Sequence, residues 1–213
     1  MPAAWSLLSM LSDEEAREVR SSARRRRFRR GEVVFHRDDP ADTLHVVSQG
    51  CFAIRVITPR GDVATLGLVG PGECFGELAL VRDHHSRTAT VEALQPSETL
   101  ALSSADLQEL RKGHPELDRE LINLLGERVR ELTDRLVEAL YTPAPRRVIR
   151  MLDDLAERYR DASGAATIPL TQDDLAGLAG TSRLTVHRVL HDPRNRDRIH
   201  THRGHLTIAP DRD

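Results

Sequence analysis

Residues 74–91 read CFGELALVRDHHSRTATV: a carboxylate, Glu77, follows Phe75-Gly76 and enters an apolar run, and ten residues later a guanidinium, Arg87, stands just ahead of a second apolar alternation. Apolar runs of this kind are built to be buried, and a buried charge is costly unless it is partnered. Two arrangements satisfy both groups. Either Glu77 and Arg87 pair directly, or both are held for a ligand that needs an acceptor and a cation. A cyclic nucleotide is such a ligand, because its phosphate is an anion and its ribose 2′-OH a donor. The planar fork of Arg87 would match two phosphate oxygens. Thr88 would add a hydroxyl, and the backbone N–H groups of Leu78 and Ala79, at the start of a short helix, would point at the same anion. Glu77 would accept from the 2′-OH, and Gly76 would let backbone and sugar approach closely.

A second set lies in residues 171–190, TQDDLAGLAGTSRLTVHRVL. Thr171 suits a helix N-cap, with Asp173 and Asp174 in the first turn. Leu175, Ala176 and Leu178 face inward, and Gly180 ends the helix after about two turns. Ser182 caps a second helix that carries Val186 and Val189 inward. Two short helices around a glycine turn, with a small residue where they cross, form a helix-turn-helix. The second helix presents Arg183, Thr185, His187 and Arg188 outward. Arginine can make a paired hydrogen bond to guanine O6 and N7 in the major groove, and hydroxyls near the helix start can hold phosphates. The expected DNA-facing residues are Thr171, Gln172, Thr181, Ser182, Arg183, Thr185, His187 and Arg188. A wing should follow, with His205–Ile208 as one strand and Arg203-Gly204 at its turn, laying the basic side chains of residues 194–203 along phosphates.

The elements that position these sets are legible in outline. ARRRRFRRG (23–31) reads as a solvated edge strand with Phe28 facing in. From Gly31 to about Ala101, β-rich runs (EVVFH, TLHVVSQG, CFAIRVIT, VATLGLVG, TATVEAL, ETLALS) alternate with Gly/Pro/Asp turn signals, the pattern of a small barrel or sandwich. Residues 5–20 suggest short helical pieces. SADLQELRKG reads as a capped helix ended by Gly113, and Pro115 opens a longer one to about Tyr141. Along that helix Ile122, Leu125, Val129, Leu132, Leu136 and Ala139 form a 3-4 seam fit for a twin helix, while Leu117, Leu121 and Leu124 mark a neighbouring face. YTPAP (141–145) is a hinge. RRVIRMLDDLAERYR is an amphipathic helix with Val148, Ile149, Leu152 and Leu155 inward, and DASGAAT is a loop.

The totals narrow the class. The chain has 213 residues and a net charge of −2. Residues 1–145 hold 19 basic against 23 acidic residues and residues 146–213 hold 12 against 10, so a basic tail follows an acidic body. No run approaches the ~18 apolar residues of a membrane span. The start, MPAAWSLLSMLSDEE, is not expected to be a secretory signal, and a cytoplasmic protein is expected. Two cysteines, Cys51 and Cys74, are too few for a disulfide scaffold or for the roughly four ligands of an iron–sulfur cluster. Haem or thiol sensing through Cys74, His84 or His85 is an alternative. So is zinc at His200, His202 and His205, although phosphate-facing wing residues suit these histidines better and no metal is expected. The only His-x-His, at 200–202, lies outside the β region, so a metal-dependent barrel enzyme is not indicated. No Ser/His/Asp set and no P-loop is present, and no catalytic activity is expected.

Gly76-Glu77-Leu78-Ala79…Arg87-Thr88-Ala89, together with Thr171–Leu190 in this order and separation, resembles the CRP/FNR family of bacterial transcription regulators, of the cyclic-AMP receptor protein type. The resemblance covers nearly the whole chain. It implies an α+β architecture: an N-terminal cyclic-nucleotide-binding β roll, jelly-roll-like (residues 1–114), a long dimerisation helix (115–142) and a C-terminal winged helix-turn-helix (143–213). It implies cyclic AMP as effector, double-stranded promoter DNA as partner, and a homodimer through residues 115–142, with RNA polymerase a further candidate partner and no membrane. Glu77 matches the family's ribose-binding acid and Arg87-Thr88 its phosphate-binding pair. The two adenine-contacting hydroxyl positions fall on Leu132 and Thr133, of which Thr133 fits. Arg183 and Arg188 match DNA-contacting arginines, and Leu184 stands where an acid reads cytosine. Pro193 and Arg198 occupy positions that are usually apolar, which predicts an early end to the reading helix and a loosened wing. The alternatives are a relative sensing haem or redox state, and a nucleotide-binding module that acts only through protein contacts.

Overall fold

The structure, a computed structural model, describes residue 21 and residues 23–59, 61–78, 86–114 and 116–210. The helical pieces expected in residues 5–20, Ala79, His84, His85 and Pro115 lie outside the described residues. By packing, the chain divides into two units, Met1–Val56 with Leu66–Glu131, and Ile57–Thr65 with Leu132–Asp213. The long helix expected to be a segment of its own is shared between them.

Strands β1 (Arg24–Phe28), β2 (Val33–Phe35), β3 (Thr43–Gln49), β4 (Phe52–Ile57), β5 (Val63–Val69), β6 (Cys74–Phe75), β7 (Thr90–Ala93) and β8 (Ser97–Ser103) build two four-stranded sheets, ordered β1-β8-β3-β6 and β2-β7-β4-β5. They fall on the β-rich runs of the sequence, with β6 added just before the turn at Gly76. Period-2 alternation sends Phe28, Val47, Phe52, Val69, Phe75, Val91 and Ala93 into one core drawn from both sheets. On β3 the residues in the opposite phase, Leu44 and Val46, join Cys74 and Leu102 on the other face. There helices α1 (Ser104–Gly113) and α2 (Glu116–Tyr141) cover them with Leu107, Leu110, Leu117, Leu121 and Leu124. Ser103 caps α1, accepting from the Asp106 N–H at 3.1 Å. The four arginines of β1 are exposed and Phe28 is buried. Arg25 and Arg27, on one face, both reach Glu98, at 3.1 and 3.0 Å. A charged edge of this kind deters strand addition.

In the second unit α3 (Ala144–Tyr159) has Pro145 in its first turn, where the missing N–H costs nothing, so the second proline of YTPAP starts a helix as the first stops one. Its buried face is Val148, Leu152, Leu155 and Ala156; Ile149 is only half-buried. Helices α4 (Gln172–Ala179) and α5 (Arg183–Leu190) follow, then a 3₁₀ turn at Pro193–Asn195. A three-stranded antiparallel sheet, ordered β10-β11-β9, is made by β9 (Ala166–Ile168), β10 (Ile199–His202) and β11 (His205–Ile208). The expected loop DASGAAT thus ends in a strand: Ala166 and Ile168 are buried and alternate with exposed Thr167, a period-2 signal too short to stand out beside a glycine.

His45 on β3 is buried among aromatics, stacked on Phe75 with ring centroids 4.9 Å apart, its Nδ1 3.1 Å from Thr99 Oγ1. Burial, with the nearby Arg26 and Arg87 charges, lowers its pKa from 6.5 to about 3. The folded state therefore binds fewer protons than the unfolded chain between those values. This residue's contribution is intact above pH 6.5 and is lost as the pH falls, by up to about 1.4 kcal/mol per pH unit. His45→Phe should flatten the acid side of a plot of urea midpoint against pH. An unchanged slope would place the titrating group elsewhere.

Candidate nucleotide and DNA-reading sites

Arg87 lies in the loop before β7, and its backbone is pinned on both sides: its N–H donates to Asp39 O and its carbonyl accepts from the Asp38 N–H, each at 2.8 Å. The side chain is only 5% exposed. Its Nη1 donates to Thr43 O at 2.8 Å, its guanidinium lies 4.0 Å from the centre of the Phe35 ring, and Nη2 is 3.8 Å from the exposed Asp42 carboxylate. Nε is buried with no hydrogen-bond acceptor among the described residues. Burial pulls the guanidinium below its usual pKa range, partly offset by Asp42, Asp39 and Glu77. Glu77 is also buried, yet its carboxylate makes no ion pair with Arg87 among the described residues. Direct pairing therefore does not account for the two charges.

Gly76 has a stricter role than the sequence suggests. Its φ is +86°, and a Cβ there would lie 2.8 Å from both Arg87 Nη1 and Thr43 O. The absence of a side chain is what allows the guanidinium and its acceptor to meet. The chain turns at Glu77 and enters helical geometry at Leu78, which is exposed, and Thr88 is exposed beside Arg87. Thr133 is exposed on α2, in the second unit. From the first unit's part of α2, Arg128 Nη2 donates to Cys74 O at 2.9 Å, two residues before Gly76. No sequence signal marks this tie. Cys74 is fully enclosed, and burial pushes its thiol up to about 12, so it carries no thiolate at neutral pH.

In the second unit the helix-turn-helix is capped as its sequence demands. Thr171 Oγ1 accepts from the Asp174 N–H at 3.2 Å while Asp174 Oδ2 accepts from the Thr171 N–H at 2.8 Å, a reciprocal capping box. Gly180 closes α4 in the left-handed region at φ 56°. Ser182 caps α5, accepting from the Thr185 N–H at 3.3 Å. Leu175, Ala176 and Ala179 are buried on α4, and Val186, Val189 and Leu190 on α5. Ser182, Arg183, His187 and Arg188 are exposed and Thr185 is half-exposed. A hollow beside them is lined by Thr171, Gln172, Arg183, Thr201, His202 and His205, so hydroxyl, amide, guanidinium and imidazole groups from both helices and the wing share one surface. Thr181 lies in the turn, half-exposed.

The segment after α5 departs from expectation in one respect. The helix does end early, at Leu190, but the wing is not loose. Asp192 accepts from the Arg194 N–H at 2.9 Å, and Asn195 Nδ2 donates to Val189 O at 2.8 Å. Arg198 Nη2 reaches Asp153 on α3 at 2.5 Å. Arg198 is turned toward α3 instead of outward with its neighbours. His202 and His205 stack at 4.7 Å, with His202 Nε2 3.3 Å from Thr207 Oγ1, instead of converging with His200 on one point.

A further residue that sequence reasoning missed is Arg147. Its Nη1 donates to Thr142 O at 2.7 Å, Nε to Ala179 O at 3.0 Å and Nη2 to Gly180 O at 2.9 Å. One guanidinium thus ties the hinge after α2 to the turn of the helix-turn-helix, satisfying carbonyls that helix ends leave open.

These features define a two-sheeted β roll followed in the chain by a long helix and a winged helix-turn-helix. The cyclic nucleotide-binding domain family matches residues 25–114 and the Crp-like helix-turn-helix domain family matches residues 146–213. The CRP-like cAMP-activated global transcriptional regulator of Mycobacterium tuberculosis is 32% identical over 168 residues, covering 78% of this chain and 75% of that protein. The cyclic AMP receptor protein of Thermus thermophilus is 35% identical over 181 residues, covering 85% and 82%. Among solved structures, the c-di-GMP-responsive global regulator CLP of Xanthomonas campestris superposes with a TM-score of 0.81 at 22% identity, covering 94% of this chain and all of that one, a likeness of fold. The chain belongs to the CRP/FNR family of DNA-binding transcription regulators and carries that family's cyclic nucleotide-binding domain. No helix among the described residues is long and apolar enough to cross a membrane.

Gly76→Ala should destabilise the first unit by about 1–3 kcal/mol through its positive φ and the 2.8 Å approaches, read as a lower urea midpoint. Arg147→Leu leaves three carbonyls without their donor and should cost about 2 kcal/mol. Arg147→Lys keeps the charge but not the planar fork and should recover only part of that loss in the same measurement.

Proposed function

We propose that the chain is a homodimeric, cytoplasmic transcription regulator whose hold on promoter DNA is set by cyclic AMP bound in the β roll. The observation that carries this reading is the Arg87 guanidinium, buried yet short of acceptors. A cyclic phosphate supplies what it lacks, two oxygens in the plane of the fork. Glu77 takes the ribose 2′-OH, the backbone at Gly76 and Leu78 closes on the anion, Thr88 adds its hydroxyl, and Ala79 is assigned to the same anion from the sequence alone. The names of the Mycobacterium and Thermus relatives support cyclic AMP as the nucleotide.

The homodimer is supported by α2. Ile122, Val129, Leu132 and Leu136 recur at the 3-4 spacing and are 50–68% exposed. A second copy of the same stripe is the cover that such a seam fits. Thr133, beside Leu132, would meet the base. Cyclic AMP would act by binding the DNA-competent arrangement more tightly than the other, and the two reading helices would then sit about one DNA turn, ~34 Å, apart. RNA polymerase would be the further partner at the promoter.

Calorimetry with cyclic AMP and cyclic GMP, followed by gel shifts with and without nucleotide, tests the reading. Arg87→Leu should weaken cyclic AMP binding about 100-fold, and Glu77→Gln about tenfold, each removing charge-assisted hydrogen bonds. Circular dichroism confirms that each variant is folded. If DNA binding by the folded Arg87→Leu protein still rises with cyclic AMP, the proposed pocket is wrong.

A further inference from the structure

On α5 the buried residues are Val186, Val189 and Leu190. At 100° per residue, positions 184 and 188 lie on the opposite side, one turn apart. Leu184 is 57% exposed, and it is the only large hydrophobic residue so exposed among described residues 142–210. A lone exposed leucine is ordinary on a protein surface. The setting is what distinguishes this one. Around it on the first turn and a half are Arg183, His187 and Arg188 with the hydroxyls of Ser182 and Thr185, groups suited to phosphates and to the hydrogen-bonding edges of bases. The first residues of a reading helix are those that reach base edges. Leu184 can neither donate nor accept there.

The major groove offers one apolar group, the C5 methyl of thymine. A leucine packed on that methyl removes apolar surface from water on both sides. The same leucine over the amino group of cytosine or the carbonyl of guanine strips water from a polar group and returns no hydrogen bond. We infer that Leu184 is a base-reading residue that selects thymine through its methyl group. This inference rests on the DNA-reading role of α5 and adds the identity of one base to it.

The test begins with full-length protein, with and without cyclic AMP, and selection from a pool of random DNA duplexes. Each thymine of the enriched half-site is then replaced by deoxyuridine, which keeps the pairing edge and loses only the methyl. One thymine per half-site should prove sensitive. Its loss should weaken binding about three- to fivefold, the worth of one buried methyl, and about 10- to 25-fold when both halves of a palindromic site are changed. Leu184→Ala should bind the same duplexes without sensitivity at that position, and Leu184→Thr, which keeps one methyl, should regain part of it. The side chain is exposed, so circular dichroism should find all three proteins equally folded. If no thymine responds to the loss of its methyl, or if Leu184→Ala responds as the parent does, the inference is overturned. Failure to enrich any sequence would instead remove the DNA-reading role of α5, and this inference with it.

Discussion

A guanidinium taken out of water has to be answered by acceptors, and the arrangement around Arg87 follows from that requirement. Thr43 must turn its carbonyl inward from the start of β3, and Phe35 must offer a ring face. The stretch at 38–39 must hold the Arg87 backbone on both sides. Position 76 must lack a side chain, since any Cβ would occupy the place where cation and carbonyl meet. Even so the cation is under-served. Among the described residues, one firm hydrogen bond and one long contact to an exposed carboxylate leave a buried N–H unanswered. Leaving a charge in that condition costs several kcal/mol. That cost is offset where a bound anion completes the group, the role proposed for a cyclic phosphate.

The DNA-reading half is held by different means. Helices of eight residues are far too short to be stable alone. They persist because their ends are answered: the capping box at Thr171, the left-handed Gly180, the Ser182 cap, and Arg147 reaching the carbonyls that the turn leaves open. Each device fixes the direction in which α5 leaves the turn, and so the face it presents.

Much of this was legible in the chain itself. The strands could be read because apolar alternation and turn residues agree, and the helix-turn-helix because each cap is local and carried by one residue type. The charges of Glu77 and Arg87 were visible as anomalies against an apolar background. What could not be read was everything that depends on a partner far along the chain. The Arg147 carbonyls lie 5, 32 and 33 residues away, and the Arg128 tie spans 54. Strand β9 escaped notice because its pairing with β11 outweighs a weak local propensity. The wing was expected to be loose because Pro193 and Arg198 violate an apolar pattern. It is firm because a polar pattern, Asp192, Asn195 and Arg198 with Asp153, replaces it.

The turning of Arg198 onto Asp153 has a consequence for how this protein responds to its medium. A guanidinium already neutralised within the fold displaces no condensed counterion when it nears DNA. Arg194, paired with Asp192, is in the same condition. Of the six arginines in residues 181–208, these two and Arg183, whose Nη1 lies 3.5 Å from the Asp173 carboxylate, are paired within the fold and contribute less to ion release. The grip on DNA should therefore decline less steeply with rising ionic strength than the count of basic residues alone would suggest, leaving shape and base contacts a larger share of the whole.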